Sequence, residues 1–312
     1  MTSNQSNIKK SKKYLDNNKC ISVPTETVYG LAANAYSNDA VRKIFVLKKR
    51  PKNNPLIIHY YSLSNVKNDC ILNKKFFLLY KKFCPGPLTF ILKLKKENQI
   101  SKIATNNKKL VAIRFPKHPL LRKLLKKLKY PLAAPSANIY SKLSPVRASD
   151  VKDEFGKKIK FILDGGECKI GIESTIINLV GKPKILRLGG LEVGKIKKVL
   201  NMPISLNINP KIKNFPGQSK LHYSPGIPLI MNAKKERRNG AFITLKKSNI
   251  NKKNYFYLSK NGDLSHAAKN LYSTLRKIKK KGYKSISIEK IDNYGMGLAI
   301  NDRLKRAEKN DN

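Results

Sequence analysis

The run Pro24-Thr25-Glu26-Thr27-Val28-Tyr29-Gly30-Leu31 interrupts an apolar strand with hydroxyls, a carboxylate and a glycine. Further on, Lys48-Lys49-Arg50-Pro51 sets cations where an amphipathic run should end as a helix. Groups of this kind at strand ends suit a small charged ligand better than a packed core. Similar clusters recur at other strand ends: Asn53-Asn54-Pro55 with His59; Arg114 with Pro116 and His118-Pro119; Ser136-Ala137-Asn138 with Ser144; Gly165-Gly166 with Gly171-Ile172-Glu173-Ser174-Thr175; and Arg187 with Gly189-Gly190. Lys48, Arg50 and Arg187 could neutralise a polyphosphate, and Arg114 could fork onto a carboxylate. Ser136, Asn138 and the glycine turns offer donors to phosphate oxygens. The chemistry that results is a nucleotide together with a small carboxylic acid. Neither a Walker A lysine loop nor G-x-G-x-x-G is present, so neither standard nucleotide motif applies.

Each cluster also has a bland reading. Thr25 and Thr27 suit an ordinary strand, and Lys48 and Arg50 suit a solvated helix end in favourable dipole contact. Ser136 and Asn138 suit a capped turn, and a lone His59 is more often a satisfied histidine than a catalyst. The convergence of these clusters on one anionic ligand is what favours the functional reading.

Strands and helices must hold these groups. Apolar spacing predicts strands at Cys20–Val23, Pro55–Tyr60, Leu88–Leu94, Leu110–Phe115, Leu132–Ala137, Phe161–Leu163, Thr175–Val180 and Lys184–Leu188. It predicts helices from Ser37 through Lys48, over Lys74–Phe83, over His118–Lys129, from Ser144-Pro145, and over Leu191–Leu200. The elements do not alternate strictly, which predicts a mixed sheet. Residues 1–18 read as a disordered or extended N-terminus, 19–202 as the catalytic domain, and the Pro/Gly-rich 203–226 as a linker and active-site lid. Residues 227–312 read as a smaller α/β domain. Its strands fall at Ile227–Met231, Ala241–Leu245, Tyr255–Leu258 and Ser285–Ile288, and its helices at Leu264–Ile278 and Leu298–Ala307, for a largely parallel sheet.

At 312 residues and 40% hydrophobic, the chain can bury a sizeable core in two domains. The net charge of +47 would draw nucleic acid, but only eleven of the 66 cationic residues are arginine. Lysine, asparagine and isoleucine are all favoured by A/T-rich codons, so compositional drift competes with weak tRNA binding as the origin of the charge. Cys20, Cys70, Cys84 and Cys168 form no C-x-x-C pair, as expected of thiols in a reducing cytosol. No signal-like or membrane-spanning run occurs, which predicts a cytoplasmic protein without membrane contact.

The ordered motifs Pro24–Leu31, Lys48-Lys49-Arg50-Pro51 with Asn54-Pro55-Leu56, Pro85-Gly86-Pro87-Leu88-Thr89, Arg114-Phe115-Pro116 with His118-Pro119, and Ala134-Pro135-Ser136-Ala137-Asn138 resemble the YrdC-like domain of threonylcarbamoyl-AMP synthases. Pro216-Gly217 and His222-Tyr223-Ser224-Pro225 resemble the linker of the family's two-domain form. Gly297-Leu298-Ala299 with Asn301-Asp302-Arg303-Leu304 resembles the end of its second domain. The resemblance runs from about Lys19 to about Ala307. It implies an α/β fold: a YrdC-like domain with a twisted mixed sheet and a smaller Rossmann-like C-terminal domain. It also implies a nucleotidyltransferase that joins L-threonine, bicarbonate and ATP into threonylcarbamoyl-adenylate and pyrophosphate. A tRNA threonylcarbamoyl transferase machinery would then modify the adenosine beside the anticodon.

By match to that family, Thr27, His59, Arg114, Ala134 and Ser174 would hold threonine or its carbamate. Arg50, Asn54, Leu110, Ser136, Ser144, Arg187 and Tyr223 would hold ATP. Lys48, Arg50, Ser136 and Asn138 would form the catalytic K-x-R and S-x-N pairs. Mg²⁺ is expected with ATP, with no tightly bound cofactor and no protein metal cluster. Leu188 where the family often has proline, Cys84 where it often has a large aromatic, and a linker less basic at its centre depart from the pattern. Two other readings compete: a non-catalytic RNA-binding module with a YrdC-like fold, and a carbamoyltransferase of hydrogenase maturation. The latter would need C-x-x-C zinc segments and an acylphosphatase-like domain, and the sequence has neither.

Overall fold

A computed structural model describes residues 3–208, 222–247 and 252–308. The centre of the expected lid, with Pro216-Gly217, lies outside the described residues. Two sheets organise the described residues. The larger is mixed, as expected. Its order is Ile21–Val23, Gly30–Asn34, Leu132–Ala133, Ile57–His59, Leu110–Arg114, Leu88–Leu94, Thr175–Asn178, Lys184–Arg187 and Ser205–Leu206, with Cys70–Ile71 paired antiparallel to the C-terminal end of Leu88–Leu94, at Leu94 and Lys93. The smaller sheet runs Leu229–Ile230, Ile286–Ile288, Ala241–Lys246, Tyr255–Ser259, and every pairing in it is parallel. Parallel neighbours need long crossovers, and the amphipathic helix Leu264–Lys280 supplies one, burying Ala267, Ala268, Leu271, Tyr272, Leu275 and Ile278.

The register of the larger sheet does the positioning. His59 lies opposite Arg114, Arg114 opposite Thr89, Thr89 opposite Ile176, and Ile176 opposite Arg187. Directly opposed residues share a face, so a row across five strands presents one imidazole and two guanidinium groups together. Along each strand, every second residue stays on that face. Ile57, Ile91 and Ala112 follow that spacing, Leu186 joins them at the register shift beside Ile176, and with Ile176 they make a small apolar floor against which Leu110 packs.

Three expectations fail locally. Residues 1–18 are not disordered or extended: Ser3–Asp16 is an α-helix. Its buried stripe is Ile8, Ser11 and Leu15, and it packs with the helix Pro119–Lys127 in one apolar cluster. Only two of those three positions are apolar, so lysine and asparagine hide the helical period. The helix expected from Ser144-Pro145 starts at Ala148 instead, because the Asp150 carboxylate accepts from the N–H groups of Val146 and Arg147, at 2.9 and 3.1 Å. Ser144 is thereby released from capping. The strand expected at Phe161–Leu163 is reduced to a single bridge between Ser22 and Ile162.

The two parts of the chain share one contiguous buried cluster. Gly171, at φ +80°, lies so close to the backbone of the second domain that a Cβ there would stand 2.3 Å from the Lys269 carbonyl oxygen. Arg276 donates to the Leu143 carbonyl, and Lys280 pairs with Asp153.

Candidate functional site

Thr25, Thr27, Arg50, His59, Arg114, Ser136, Glu173, Arg187, His222 and Tyr223 line one narrow cleft over the polar row. It holds about 50 Å³ of water-accessible space, far less than the roughly 300–1,000 Å³ that enclose a drug-sized ligand.

The opening motif builds one wall. Thr25 Oγ1 accepts from the N–H groups of Thr27 and Val28 and donates to Val28 O, which closes a tight turn. Thr25 is therefore structural, and Thr27, itself buried with its hydroxyl 2.8 Å from that of Thr25, lines the cleft beside it. The Glu26 carboxylate accepts from Arg114 Nη2 at 2.8 Å and from Lys117 N at 2.9 Å, with both side chains buried. Arg114 thus meets a resident carboxylate through a single bond. Its Nε is buried without a partner among the described residues.

Lys48 and Arg50 diverge. Lys48 is the last residue of the helix Asn38–Lys48, and Lys49 adopts the left-handed cap conformation at φ 50°. That cap turns the chain, so the two side chains leave in different directions. Lys48 Nζ donates to the carbonyls of Ser136 and Asn138, both at 2.5 Å, and is 1% exposed. Rather than facing into the cleft, Lys48 staples the S-x-N turn from behind. Arg50 enters the cleft, braced by Nε and Nη2 bonds to Asn54 O, Asn54 Oδ1 and Pro55 O. Burial, with Arg187 nearby, lowers the Arg50 guanidinium to about 10, still charged at neutral pH.

Ser136 presents its hydroxyl to the cleft and donates to Asn138 Oδ1. Asn138 itself brackets the loop, donating to the Ile139 and Lys142 carbonyls. Arg187 donates through Nε to Ser174 O and through Nη2 to Ser174 Oγ, and Ser174 Oγ also bonds Thr89. Gly189 admits this arrangement, since a Cβ there would lie 2.3 Å from the Glu173 carbonyl oxygen.

Of the predicted site residues, Thr27, Arg50, His59, Arg114, Ala134, Ser136, Arg187 and Tyr223 reach the cleft. Lys48, Asn54, Asn138, Ser144 and Ser174 stand one layer behind it, each bonded to a lining residue or to its loop. Leu110 shares the sheet face of Arg114 but lies four residues along the strand, about 13 Å away at strand rise, and does not line the cleft.

Sequence reasoning assigned no role to four residues. Glu173 and His222 line the cleft, and Tyr272 and Arg303 of the second domain reach Glu173 from behind. Glu173, His222 and Arg303 sit inside motifs already singled out, but only the fold shows that they meet.

The two cleft histidines are neutral. Burial, with Arg114 beside His59 and Arg50, Lys48 and Arg187 around His222, pulls both imidazoles from 6.5 down to about 3. Burial raises the Glu173 carboxyl, but the Arg303 and Arg187 charges outweigh this and hold it at about 2. The sign is the same for all three. The unfolded chain takes up protons on the histidines below pH 6.5 and on the carboxylate below pH 4.5 that the folded chain refuses. Stability should therefore fall steadily as the pH drops from about 6.5 toward 3. Urea midpoints measured across that window check this, and His59→Gln should flatten the slope.

Among the described residues, no group of three His, Cys, Asp or Glu side chains gathers as a metal cage, and no helix is long and apolar enough to cross a membrane.

The chain is similar to known proteins over most of its length. The family model Sua5–YciO–YrdC, described as "Telomere recombination", matches residues 13–189. The model "Threonylcarbamoyl-AMP synthase, C-terminal domain" matches residues 191–308. The threonylcarbamoyl-AMP synthase of Pyrococcus abyssi is 36% identical over 94% of this chain and 92% of its own length. That of Bacillus subtilis is 35% identical over 98% and 94%. The crystal structure of Pyrococcus abyssi Sua5 complexed with L-threonine superposes with a TM-score of 0.88 at 33% identity, covering 96% of this chain and 93% of that one.

Proposed function

Because the chain belongs to the family of threonylcarbamoyl-AMP synthases, we propose that its cleft makes threonylcarbamoyl-adenylate from L-threonine, bicarbonate and ATP. The observation that carries this reading is the row His59–Arg114–Thr89–Ile176–Arg187. It gives the cleft two separate cationic ends, as a carboxylate substrate and a polyphosphate substrate require.

At one end Arg114 takes the threonine carboxylate, its guanidinium oriented by Glu26. Thr27 and the neutral His59 face the amino acid, with Ala134 closing the pocket. Ser174 supports this end indirectly, through Thr89 and Arg187. At the other end Arg50 and Arg187 hold the phosphates, Ser136 offers its hydroxyl, and Tyr223 covers the nucleotide. Asn54 orients Arg50, and Ser144 orients Glu173. Mg²⁺ enters on the triphosphate as part of the substrate.

The threonine nitrogen bonds the carbon supplied by bicarbonate, giving a carbamate with loss of water. A carbamate oxygen then attacks the α-phosphorus, and the bond to the pyrophosphate oxygen breaks. Two anions meet in this step, so buried, pre-aimed cations lower the barrier. The reaction class is nucleotidyl transfer, and the product suits a transferase that modifies tRNA. Because the closed cleft is smaller than a nucleotide, His222 and Tyr223 withdraw to admit ATP.

Purified protein should release pyrophosphate only when threonine, bicarbonate and ATP are all present. Release without threonine would overturn the reading.

A further inference from the structure

Glu173 is a problem for a site that takes a polyphosphate. The residue lines the cleft, and left unneutralised its carboxylate would repel phosphate there or capture the cation meant for it. Arg187 is the nearby candidate for capture, yet both of its bonds go to Ser174. Glu173 is satisfied from the opposite side. Ser144 Oγ donates to Oε1 at 2.5 Å, Tyr272 O–H donates to Oε2 at 3.0 Å, and Arg303 Nε donates to Oε2 at 3.0 Å.

Tyr272 and Arg303 both belong to the second domain, on the helices Leu264–Lys280 and Gly297–Ala307. Arg303 is 1% exposed. Its Nη1 is held by Asp302 at 3.0 Å, and the centre of its guanidinium lies 5.1 Å from the Tyr223 ring centroid. Tyr223 in turn stacks on Tyr272 at 5.8 Å and 22°. One buried cation thus touches the carboxylate in the cleft wall and the aromatic ring that covers the cleft.

We propose that Arg303 is a positioning residue for the nucleotide. It neutralises Glu173 and backs Tyr223, so that Arg187 and Arg50 stay available to phosphate. The second domain therefore completes the site electrostatically without touching substrate. This inference rests on the synthase reading above.

The test uses the full chain and threonine-dependent pyrophosphate release. If the unsubstituted protein shows none, the synthase reading fails before Arg303 is in question. Given that activity, Arg303→Met should raise the KM for ATP about tenfold and leave the KM for threonine within about twofold, because the lost term acts on the phosphate end. Adding Glu173→Gln removes the uncompensated charge and should bring the KM for ATP back to within about threefold of the unsubstituted protein, the sign of direct coupling between the pair. Equal rises in both KM values would overturn the proposal, as would unchanged KM values with a lower kcat, or no recovery in the double variant. Should Arg303→Met fail to fold, Tyr272→Phe carries the test. It keeps the stacked ring, deletes the hydroxyl on Glu173, and should raise the KM for ATP about threefold with threonine unaffected. An unchanged KM for ATP would overturn the proposal.

Discussion

Arg50→Ala is expected to lower kcat/KM for ATP about a thousandfold, the upper range for deleting one preorganised donor at developing charge. Initial rates of pyrophosphate release at saturating threonine measure it. Arg50 is buried and braced through Nε and Nη2, and among the described residues Nη1 has no hydrogen-bond partner. Its charge is thus desolvated and fixed before a ligand arrives, where it acts most strongly. The same substitution leaves Asn54 O and Pro55 O without a donor, which costs about 1–3 kcal/mol of stability. The urea midpoint should fall, but a cooperative transition should remain. Arg50→Lys should recover little, since an ammonium cannot reproduce the planar fork. An unchanged rate would mean that Arg50 only braces its loop.

Lys48→Met should damage the site without touching the substrate. The amine has paid a large desolvation cost, and burial with the nearby Arg50 charge lowers its pKa well below the ordinary value. A methionine of similar volume removes that cost but strands the carbonyls of Ser136 and Asn138. The net expectation is a loss of about 2 kcal/mol. Freed from its staple, the turn shifts the Ser136 hydroxyl, and displacements of order 1 Å cost about a hundredfold in kcat. Urea denaturation and kcat measured on one preparation check both parts. A lysine that held phosphate directly would instead show a raised KM for ATP with stability intact.

Much of this was legible in the chain. The helix Lys74–Phe83 and the strand Leu88–Leu94 form at their predicted bounds, because each has a clean period and strong breakers. Lys48-Lys49-Arg50 marked a site but not its division of labour. The sequence spacing is compatible with both cations facing one ligand, and the left-handed turn at Lys49 sends one of them into the backbone of a distant loop. The N-terminal helix escaped notice because its stripe is short and one of its three buried positions is Ser11, which satisfies its own hydroxyl on Asn7 O.

The residue types by themselves determined the chemistry. Hydroxyls, amides and cations grouped at strand ends can only serve an anionic ligand or a solvated surface, and their order along the chain marked the family. Register and docking lay beyond them. Which residue of one strand faces which residue of the next depends on turns and crossovers far away in sequence, and a slip of one position would turn Arg114 to the other face. Only the folded sheet aligned His59, Arg114 and Arg187 in a row. Only the docking of the second domain carried Arg303 across 130 residues of sequence to Glu173, because a buried charge takes its partner from whatever surface packs against it.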